Sequence, residues 1–254
     1  MLTNNPIILS TPQLPYFFES QLPAQKGPFT LSEATSKHCV QVLRMTEGAL
    51  IQLTNGQGLL ATAQLSMAHK KHSQVDITEF QQFASAKAQI TIAIAPTKNM
   101  GRIEWLLEKL TEIGISRIIL MHTERTERTV IKLDRLEQIL IAAMLQSRQV
   151  YLPELSGLVK YGTVLAQSTG FTHKWIAHCL ENSAKKSLSP VLTNQSHIIL
   201  IGPEGDFSAT EIDQALAPEN QFEPVTLGQT RLRTETAGLV AGVLLKMGGT
   251  SVIN

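Results

Sequence analysis

The alternation of hydrophobic and polar positions divides the chain into two regions with different predicted structure. Residues 1 to 80 contain three short β-favouring segments, ALIQLTN, LLATAQL and QVDITEF, separated by turn signals at Asn55-Gly56 and Gly58. This pattern predicts a small antiparallel sheet or barrel. In the segment TLSEATSKHCVQVLRM, by contrast, apolar residues recur at helical spacing. The small, polar segment QQFASAKAQ is the expected junction, so the second region spans residues 81–254.

The second region alternates between strand-like and helix-like segments. The strand-like segments are AQITIAIAP, SRIILM, WIAHCL, HIILIG and FEPVTLG. The helix-like segments are RIEWLLEKLTEIG, KLDRLEQILIAAMLQSRQ, SATEIDQALA and TETAGLVAGVLLKM, and Gly114 stands where a helix C-terminal cap is expected. Such alternation predicts an α/β fold in which helices cover both faces of a parallel sheet.

Composition adds few constraints. The chain has 22 Lys and Arg against 21 Asp and Glu, a formal charge of +1, so a polyanionic partner would have to be bound by a local patch. The two cysteines, Cys39 and Cys179, are far apart in sequence and are expected to be reduced, and no metal-ligand cluster is visible. The N-terminus lacks a secretory signal pattern, and AGLVAGVLL is too short to span a bilayer, so a cytoplasmic protein is expected.

The segment IGPEGDFSATEI marks a strand that ends in a glycine-containing loop before a helix. Ser208 and Glu211 have the spacing of a capping box. Glycines at a helix start often bind phosphate, but this loop lacks the motifs of phosphate and dinucleotide sites, and Glu204 and Asp206 would repel an anion. A neutral or cationic ligand is therefore expected. A second strand exit, LGQTRLRTETA, also leads into a helix, so both exits could contact one ligand.

The order and spacing of GPEGDFSATEI and LGQTRLRTETA resemble the paired signatures of the SPOUT (α/β-knot) RNA methyltransferases. Within that superfamily the chain most resembles the RsmE family, which methylates N3 of a uridine in 16S ribosomal RNA. Supporting segments are HCVQVLRMTEGALIQLTNGQG, KNMGRIEWLLEKLTEIG, ERTERTV and LQSRQVYLPEL. The chain departs from the family pattern at Gly205-Asp206, where many relatives have Gly-Gly, and at Leu145-Gln146, where many have an acid before the glutamine.

The resemblance implies a fold, a cofactor and partners. It implies a PUA-like β-barrel over residues 1–80 that helps to hold RNA, and a trefoil-knotted SPOUT domain over residues 81–254. It also implies a homodimer, a substrate of small-subunit ribosomal RNA in an assembled or assembling subunit, and S-adenosylmethionine as the methyl donor. The sulfonium of that cofactor is cationic and tolerates the acids in the GPEG loop.

The resemblance also implies specific site residues. Cofactor contacts are expected from His178, Leu200, Ile201, Gly202, Pro203, Glu204, Gly205, Leu227, Gly228, Leu232, Thr236 and Ala237. Arg233 is the expected catalytic residue, because methylation of uracil N3 leaves negative charge that a fixed guanidinium can stabilise. Arg231 would point to the opposite side of the chain, and Glu235 is expected to cap the last helix or to orient Arg233.

RNA contacts are expected from basic residues in the family-like segments, namely His38, Arg44, Lys98, Arg102, Arg125 and Arg148. Trp105 and Leu106, on the helix after Lys98, are expected in the core rather than against a base. Three alternatives stay open: a SPOUT enzyme acting on another RNA site or a ribose hydroxyl, a non-catalytic ribosome-assembly RNA-binding protein, and an unrelated nucleotide-binding α/β enzyme.

Overall fold

The computed structural model describes residues 14–84, 89–180, 184–188 and 195–247. The chain forms two compact units. One unit contains the described residues before 87 together with 141–152, and the other contains the described remainder. The sequence pattern gives no sign that residues 141–152, which follow the middle of a long helix, belong to the first unit.

The first unit is a five-stranded sheet with the order β1-β3-β4-β5-β2. Its elements are β1 Tyr16–Phe18, β2 Gly27–Thr30, helix α1 Glu33–Lys37, a π-helical turn His38–Val42, β3 Leu50–Thr54, β4 Leu59–Met67 and β5 Gln74–Gln82. Only β1 and β3 pair in parallel, and the other neighbours are antiparallel. The three predicted strands and the predicted helical segment are therefore confirmed. On β4, Leu59, Ala61 and Leu65 are buried in alternation with more exposed positions, and this side of the sheet forms the core of the unit.

The second unit is built on a seven-stranded sheet with the order β10-β12-β9-β11-β6-β7-β8, in which all neighbours are parallel. Its strands are β6 Ile90–Ile94, β7 Arg117–His122, β8 Glu154–Lys160, β9 His173–Ala177, β10 Lys186–Ser187, β11 His197–Ile201 and β12 Glu223–Thr226. Its helices are α2 Met100–Glu112, α4 Tyr161–Gln167, α5 Ala209–Leu216 and α6 Thr234–Met247, with a 3-10 turn at Ser168–Gly170. Helix α3, Leu133–Gln146, contributes residues to both units. The predicted α/β alternation is confirmed, whereas β8 and α4 were not predicted because the part-exposed pattern of β8 shows neither alternation nor a fully apolar run.

Helices cover both faces of this sheet. On one face, Ala93 and Leu200 pack with Tyr161 of α4 and Ile212 of α5. Because successive strand residues point to opposite faces, Ile94 faces the other side, where α6 crosses it. Central strands buried on both faces are apolar along their whole length, as β6 and β11 are.

Helix α6 packs unusually close to α2 through two glycines. A Cβ added at Gly238 would lie 2.9 Å from Ile94 Cδ1 and 3.0 Å from Leu106 Cδ2. At Gly242 it would lie 2.8 Å from Leu110 Cδ2. At the far end, Lys246 Nζ donates to the carbonyl oxygen of Gly114 at 2.9 Å. Gly114 follows α2 with φ 77°, which confirms the predicted helix cap.

The prediction that Trp105 is a core residue is wrong. Its side chain is 43% exposed, whereas Leu106 is fully buried. The buried stripe of α2 runs through Ile103, Leu106, Leu107 and Leu110, three or four residues apart, and Trp105 lies off that stripe.

None of the helices in the described ranges combines the length and apolar character that crossing a membrane requires.

We expect Gly238→Val to destabilise the protein by roughly 2 kcal/mol or more, because the added atoms overlap fully buried side chains of β6 and α2. The matched control is Gly162→Ala in α4, where an added Cβ meets no atom within 4 Å and should be neutral or slightly stabilising. Chemical denaturation measures both, and equal midpoints for the two variants would contradict the close-packing account.

Burial of His197 predicts a pH dependence of stability. The ring is stacked on His173 with centroids 4.7 Å apart, and burial, with a smaller effect of His173, lowers the pKa of His197 to about 4. Its ordinary pKa is about 6.5. As pH falls, the unfolded chain binds this proton before the folded chain does. The contribution of neutral His197 to the free energy of unfolding is therefore fully present above about pH 6.5. It is lost as pH falls towards 4, which lowers the free energy of unfolding by up to about 3 kcal/mol.

The His197→Asn variant should show a shallower loss of unfolding free energy between pH 7 and 4 than the parent protein. The control, His72→Asn, removes an exposed histidine and should leave the slope unchanged. Tryptophan fluorescence reports on the second unit, since Trp105 and Trp175 both lie there. Identical slopes for parent and His197→Asn would rule out this histidine as the cause.

Candidate active site

Three loops leave neighbouring strands at the same edge of the parallel sheet. In the paired register, Ala177 of β9 lies between Ile201 of β11 and Val225 of β12. The loops that follow these strands therefore begin side by side. They contain His178, the GPEGDF segment and the LGQTRLR segment, so the structure brings the two glycine-bearing exits together.

The predicted capping box at the start of α5 is confirmed. Ser208 Oγ accepts from the Glu211 amide at 3.3 Å, and Glu211 Oε2 accepts from the Ser208 amide at 3.0 Å. The other oxygen, Oε1, accepts from the Glu124 amide at 2.8 Å, and Tyr161 Oη donates to the Glu211 carbonyl at 2.6 Å. Glu211 thus fixes the GPEG loop against the loop that follows β7.

Close packing accounts for glycine at position 202. The backbone of Gly202 is not in the left-handed region, but an added Cβ would lie 3.1 Å and 3.2 Å from ring atoms of Phe207. Phe207 itself is buried against Tyr161, with ring centroids 5.8 Å apart. Leu200, Ile201, Gly202 and Pro203 are buried, while Glu204 and Gly205 are exposed.

The backbone conformation at Asp206 is compatible with aspartate in place of the glycine that the family resemblance implies. Its φ of 64° lies in the left-handed region, which favours glycine and tolerates aspartate. Its Oδ1 accepts from the Phe207 amide and its Oδ2 from the Cys179 amide, both at 2.8 Å. The two hydrogen bonds of the carboxylate stabilise this backbone conformation, which glycine would adopt without strain. They also join the loops after β9 and β11.

His178 lies next to this junction. The residue is buried, and neither ring nitrogen has a hydrogen-bond partner among the described residues. Burial and the positive charge of Lys185 lower the pKa of His178, and Asp206 partly opposes them. The ring is therefore neutral near pH 7, and its one donor and one acceptor have no partner among the described residues. Buried polar atoms of this kind call for a partner such as a ligand.

The loop after β12 carries the two arginines on an exposed segment. Leu227 is half-buried, Gly228 is exposed with φ 146°, and Leu232 is half-buried. Arg231 and Arg233 are exposed, and no residue in the described ranges accepts a hydrogen bond from either guanidinium. The Ala237 amide donates to the Arg233 carbonyl at 2.8 Å, so Thr236 and Ala237 form the first turn of α6.

Glu235 faces Arg102 rather than Arg233. Its Oε1 lies 3.7 Å from Arg102 Nε, and Arg102 Nη1 lies 3.7 Å from Glu204 Oε1. Glu235 is buried and its Oε2 has no partner within the described part of the chain. Arg102 therefore connects α2, the GPEG loop and the start of α6, and it is the arginine that Glu235 orients.

Lys98 and Arg125 complete the surroundings of the GPEG loop. The Lys98 amide lies 3.4 Å from Glu204 Oε2, and its ammonium lies 2.7 Å from Glu127 Oε2. Arg125 Nη1 donates to the Gly205 carbonyl at 2.7 Å. These predicted RNA-binding residues are thus adjacent to the predicted cofactor loops.

The other predicted RNA-binding residues lie in the first unit. His38 is exposed, with its ring 5.5 Å from that of Phe17, and Arg44 is exposed with φ 52°. Arg148 is differently placed. Its guanidinium donates to Gln52 Oε1 at 3.1 Å and to the Leu14 carbonyl at 2.9 Å, and it lies over the Tyr16 ring. Arg148 therefore has a clear structural role within this unit.

Comparison with known families accounts for this arrangement. A family model described as an RNA methyltransferase domain matches residues 84–246, and a model of the RNA methyltransferase PUA domain matches residues 31–78. The first match covers more than half of the chain. The chain belongs to the RNA methyltransferase family.

Individual relatives refine this assignment. The methyltransferase is 32% identical to the ribosomal RNA small subunit methyltransferase E of Mesomycoplasma hyopneumoniae over 158 residues, which cover 60% of this chain and 66% of that protein. It is 38% identical to a probable rRNA-methyltransferase from Porphyromonas gingivalis, with a TM-score of 0.82 and coverage of 91% and 96%. The ribosomal RNA small subunit methyltransferase E of Neisseria gonorrhoeae, bound to S-adenosyl methionine, is 26% identical, with a TM-score of 0.79 and the same coverage. The expected resemblance to the RsmE family is confirmed.

The loops of the methyltransferase fit a methyl donor with a cationic sulfonium and an ammonium group. Glu204, Asp206 and Glu235 supply negative charge around the strand exits. The ring nitrogens of His178 and Oε2 of Glu235 are buried, and no residue that the structure describes pairs with them. A ligand that donates and accepts hydrogen bonds would satisfy them.

Sequence reasoning missed the contacts of two residues that shape the methyltransferase site. Asp206 was noted as a negative charge and as a departure from Gly-Gly, but its hydrogen bonds to the Phe207 and Cys179 amides were not predicted. The contact of Glu235 with Arg102 joins residues far apart in sequence, so no local sequence pattern predicts it.

We expect Asp206→Ala to lower the unfolding free energy by roughly 2 kcal/mol, because two hydrogen bonds are lost and a Cβ remains at positive φ. Asp206→Gly should lose about 1 kcal/mol less, since glycine adopts this conformation freely. Chemical denaturation compares the two variants, with Asp206→Asn as a control that keeps an acceptor. Equal losses for alanine and glycine would show that the left-handed backbone carries no strain.

Proposed function

We propose that this methyltransferase transfers a methyl group from S-adenosylmethionine to N3 of a uridine in 16S ribosomal RNA. The proposal is supported by the family match and by relatives named ribosomal RNA small subunit methyltransferase E. The observation that carries it is the meeting of the GPEGDF and LGQTRLR loops beside the buried, unpartnered His178.

The cofactor is held by the strand exits of the second unit. Residues 200–205, 227, 228, 232, 236 and 237 surround it, with His178 supplying a hydrogen bond from the third loop. The buried backbone of residues 200–203 and the half-buried Leu227 and Leu232 suit an adenine edge, and small Ala237 permits close approach. When bound, the cofactor supplies an electrophilic methyl group on a cationic sulfur.

The finer architecture is part of the proposal. The second domain, residues 81–254, contains the trefoil knot, and residues 1–80 form a PUA-like β-barrel. Support comes from the sheet order, in which β11 lies between β6 and β9 although β6 and β9 precede it in the chain, and from the match to the PUA model. The enzyme acts as a cytoplasmic homodimer on an assembled or assembling small subunit.

Arg233 carries the chemistry in this proposal. The N3 proton of uracil lies on the Watson-Crick edge, so the base must be unpaired or flipped out before it reacts. Loss of that proton leaves negative charge on N3 and the flanking carbonyl oxygens. The guanidinium of Arg233 is exposed, has no described acceptor, and stands on the loop that also contributes Leu232 to the cofactor pocket. It would stabilise the anion formed when the N3 proton passes to solvent. The loops would hold the cofactor, whose chemistry is to give its methyl group to N3 while the sulfur leaves as a neutral thioether.

RNA is held by local basic groups, because the formal charge of +1 gives no overall attraction. Lys98, Arg102 and Arg125 contribute from the second unit, and His38 and Arg44 from the first. Arg148 contributes mainly by ordering the first unit, since its guanidinium already has two acceptors there.

We expect Arg233→Ala to reduce the single-turnover rate about 10²- to 10³-fold, as loss of one preorganised donor to a developing anion does. Cofactor affinity, measured by calorimetry, should change little. Arg231→Ala is the matched control, being an equally exposed arginine two residues away. A near-native rate for Arg233→Ala would show that the anion is stabilised elsewhere.

The site of methylation is identified by mass spectrometry of 16S ribosomal RNA from a strain lacking the protein. The expected result is loss of one N3-methyluridine and its return with the purified enzyme. Loss of a ribose methyl group would contradict the proposed atom. An unchanged methylation pattern would contradict catalysis on this RNA.

A further inference from the structure

We propose that a basic pocket between α2 and α3 binds one phosphodiester of the single-stranded RNA next to the target uridine. The inference rests on the proposed function, since it assigns a second contact for the same substrate. The pocket, called the α2–α3 pocket below, is lined by Met100, Glu104, Arg128, Val130, Lys132, Arg135 and Leu136, all in the second unit.

The size of the pocket restricts its occupant. Its volume is about 200 Å³, less than the roughly 300–1,000 Å³ of sites that enclose drug-sized ligands. A whole cofactor molecule would therefore not be enclosed, but a single phosphate with its sugar would find room.

The charge of the pocket favours an anion. Glu104 is its single acid, and both its oxygens are engaged by Arg135, at 2.6 Å from Nε and 2.8 Å from Nη2. The charges of that pair compensate each other. Arg128 and Lys132 remain as two uncompensated positive charges among the lining residues.

The donors of these two residues are available. Arg128 uses only Nε, which donates to the Val130 carbonyl at 3.1 Å, and its terminal nitrogens meet no acceptor in the described ranges. Lys132 forms no ion pair with any described acid. An arginine whose Nε is already bonded and whose terminal nitrogens have no described acceptor, next to a lysine ammonium, suits a phosphate, which accepts several charge-assisted hydrogen bonds.

The apolar lining favours a nucleotide over a free anion. Val130 is 68% exposed at the pocket, with Met100 and Leu136 also in the lining. An exposed valine beside two cations offers a surface for a ribose or base edge while the phosphate contacts the charges.

The pocket is built from segments that also contact the candidate active site. Arg128 and Val130 lie on the loop whose Arg125 donates to the Gly205 carbonyl. Met100 begins α2 just after Lys98, whose ammonium pairs with Glu127 of the same loop at 2.7 Å. A phosphate held here would fix the RNA backbone beside the cofactor loops, which is the positioning role of phosphate contacts.

The test is a double variant, Arg128→Ala with Lys132→Ala, in the full-length protein. We expect the KM for methyl transfer to ribosomal RNA to rise about tenfold while kcat and cofactor affinity stay unchanged. Binding of a single-stranded oligouridine should weaken, and the slope of log affinity against log salt concentration should become shallower by about 0.7, as expected for one phosphate. The matched control, Arg117→Ala with Lys174→Ala, removes the same two charge types from the amino edge of the sheet and should leave KM within twofold of the parent value.

A second variant tests the opposite direction. Glu104→Gln frees Arg135 from its acid, so oligouridine affinity should rise. An oligouridine with neutral methylphosphonate linkages should not distinguish any of these variants from the parent. Such a pattern would support a phosphodiester site.

Three outcomes would overturn the inference. Unchanged KM and oligouridine affinity in the Arg128/Lys132 double variant would exclude an RNA contact here, while methyl transfer by the parent would keep the proposed function intact. Inorganic phosphate that raises Tm in the parent but not in the variant, with RNA affinity unaltered, would assign the pocket to a free anion. A defect on assembled subunits alone would indicate contact with a ribosomal protein.

Discussion

The close approach of α6 to α2 is the constraint on which the site geometry depends. Gly238 and Gly242 bring the helices so near that an added Cβ would overlap buried side chains of Ile94, Leu106 and Leu110. Because α6 begins directly after the LGQTRLR loop, this contact sets where Arg233 leaves the sheet and where Glu235 meets Arg102. A shift of α6 would separate Arg102 from Glu235 and loosen the arginine that also lies beside Glu204. The packing of α6 against α2 thereby helps to set the positions of Arg102, Arg233 and Glu235 in the candidate active site.

The GPEG loop is held from several directions, which explains how so exposed a segment can be preorganised. Glu211 anchors its helical end to the loop after β7, Phe207 fills the space beneath Gly202, and Asp206 ties it to the loop after β9. Arg125 donates a hydrogen bond to the Gly205 carbonyl of this loop. Because these contacts already hold the loop in place, little free energy is spent on ordering it when a ligand binds.

Local patterns predicted what depends on local chemistry. Apolar periodicity and short-range hydrogen bonds predicted four features that the structure contains: the buried central strands, the amphipathic helices, the Ser208 capping box and the Gly114 helix end. The errors and omissions concern features that depend on tertiary contacts or backbone conformation. Trp105 is apolar but lies off the buried stripe of α2, the positive φ of Asp206 leaves no mark in hydropathy, and Arg148 gains its acceptors from residues distant in sequence. The pairing of the two glycine-bearing exits was predicted from their positions at strand ends, and the parallel register of β9, β11 and β12 supplies its physical reason.

The near-zero net charge conceals a separation of charge that matches the proposed chemistry. Acids lie at the strand exits, where a cationic methyl donor would bind, and Glu204 and Glu235 are each approached by Arg102. Other cations form no ion pair with an acid in the described ranges, namely Arg128, Lys132, Arg231 and Arg233. A polyanion would be attracted to these cations and repelled by the carboxylates. The same arrangement would place the uncharged uracil beside an arginine that can stabilise the negative charge developing on it.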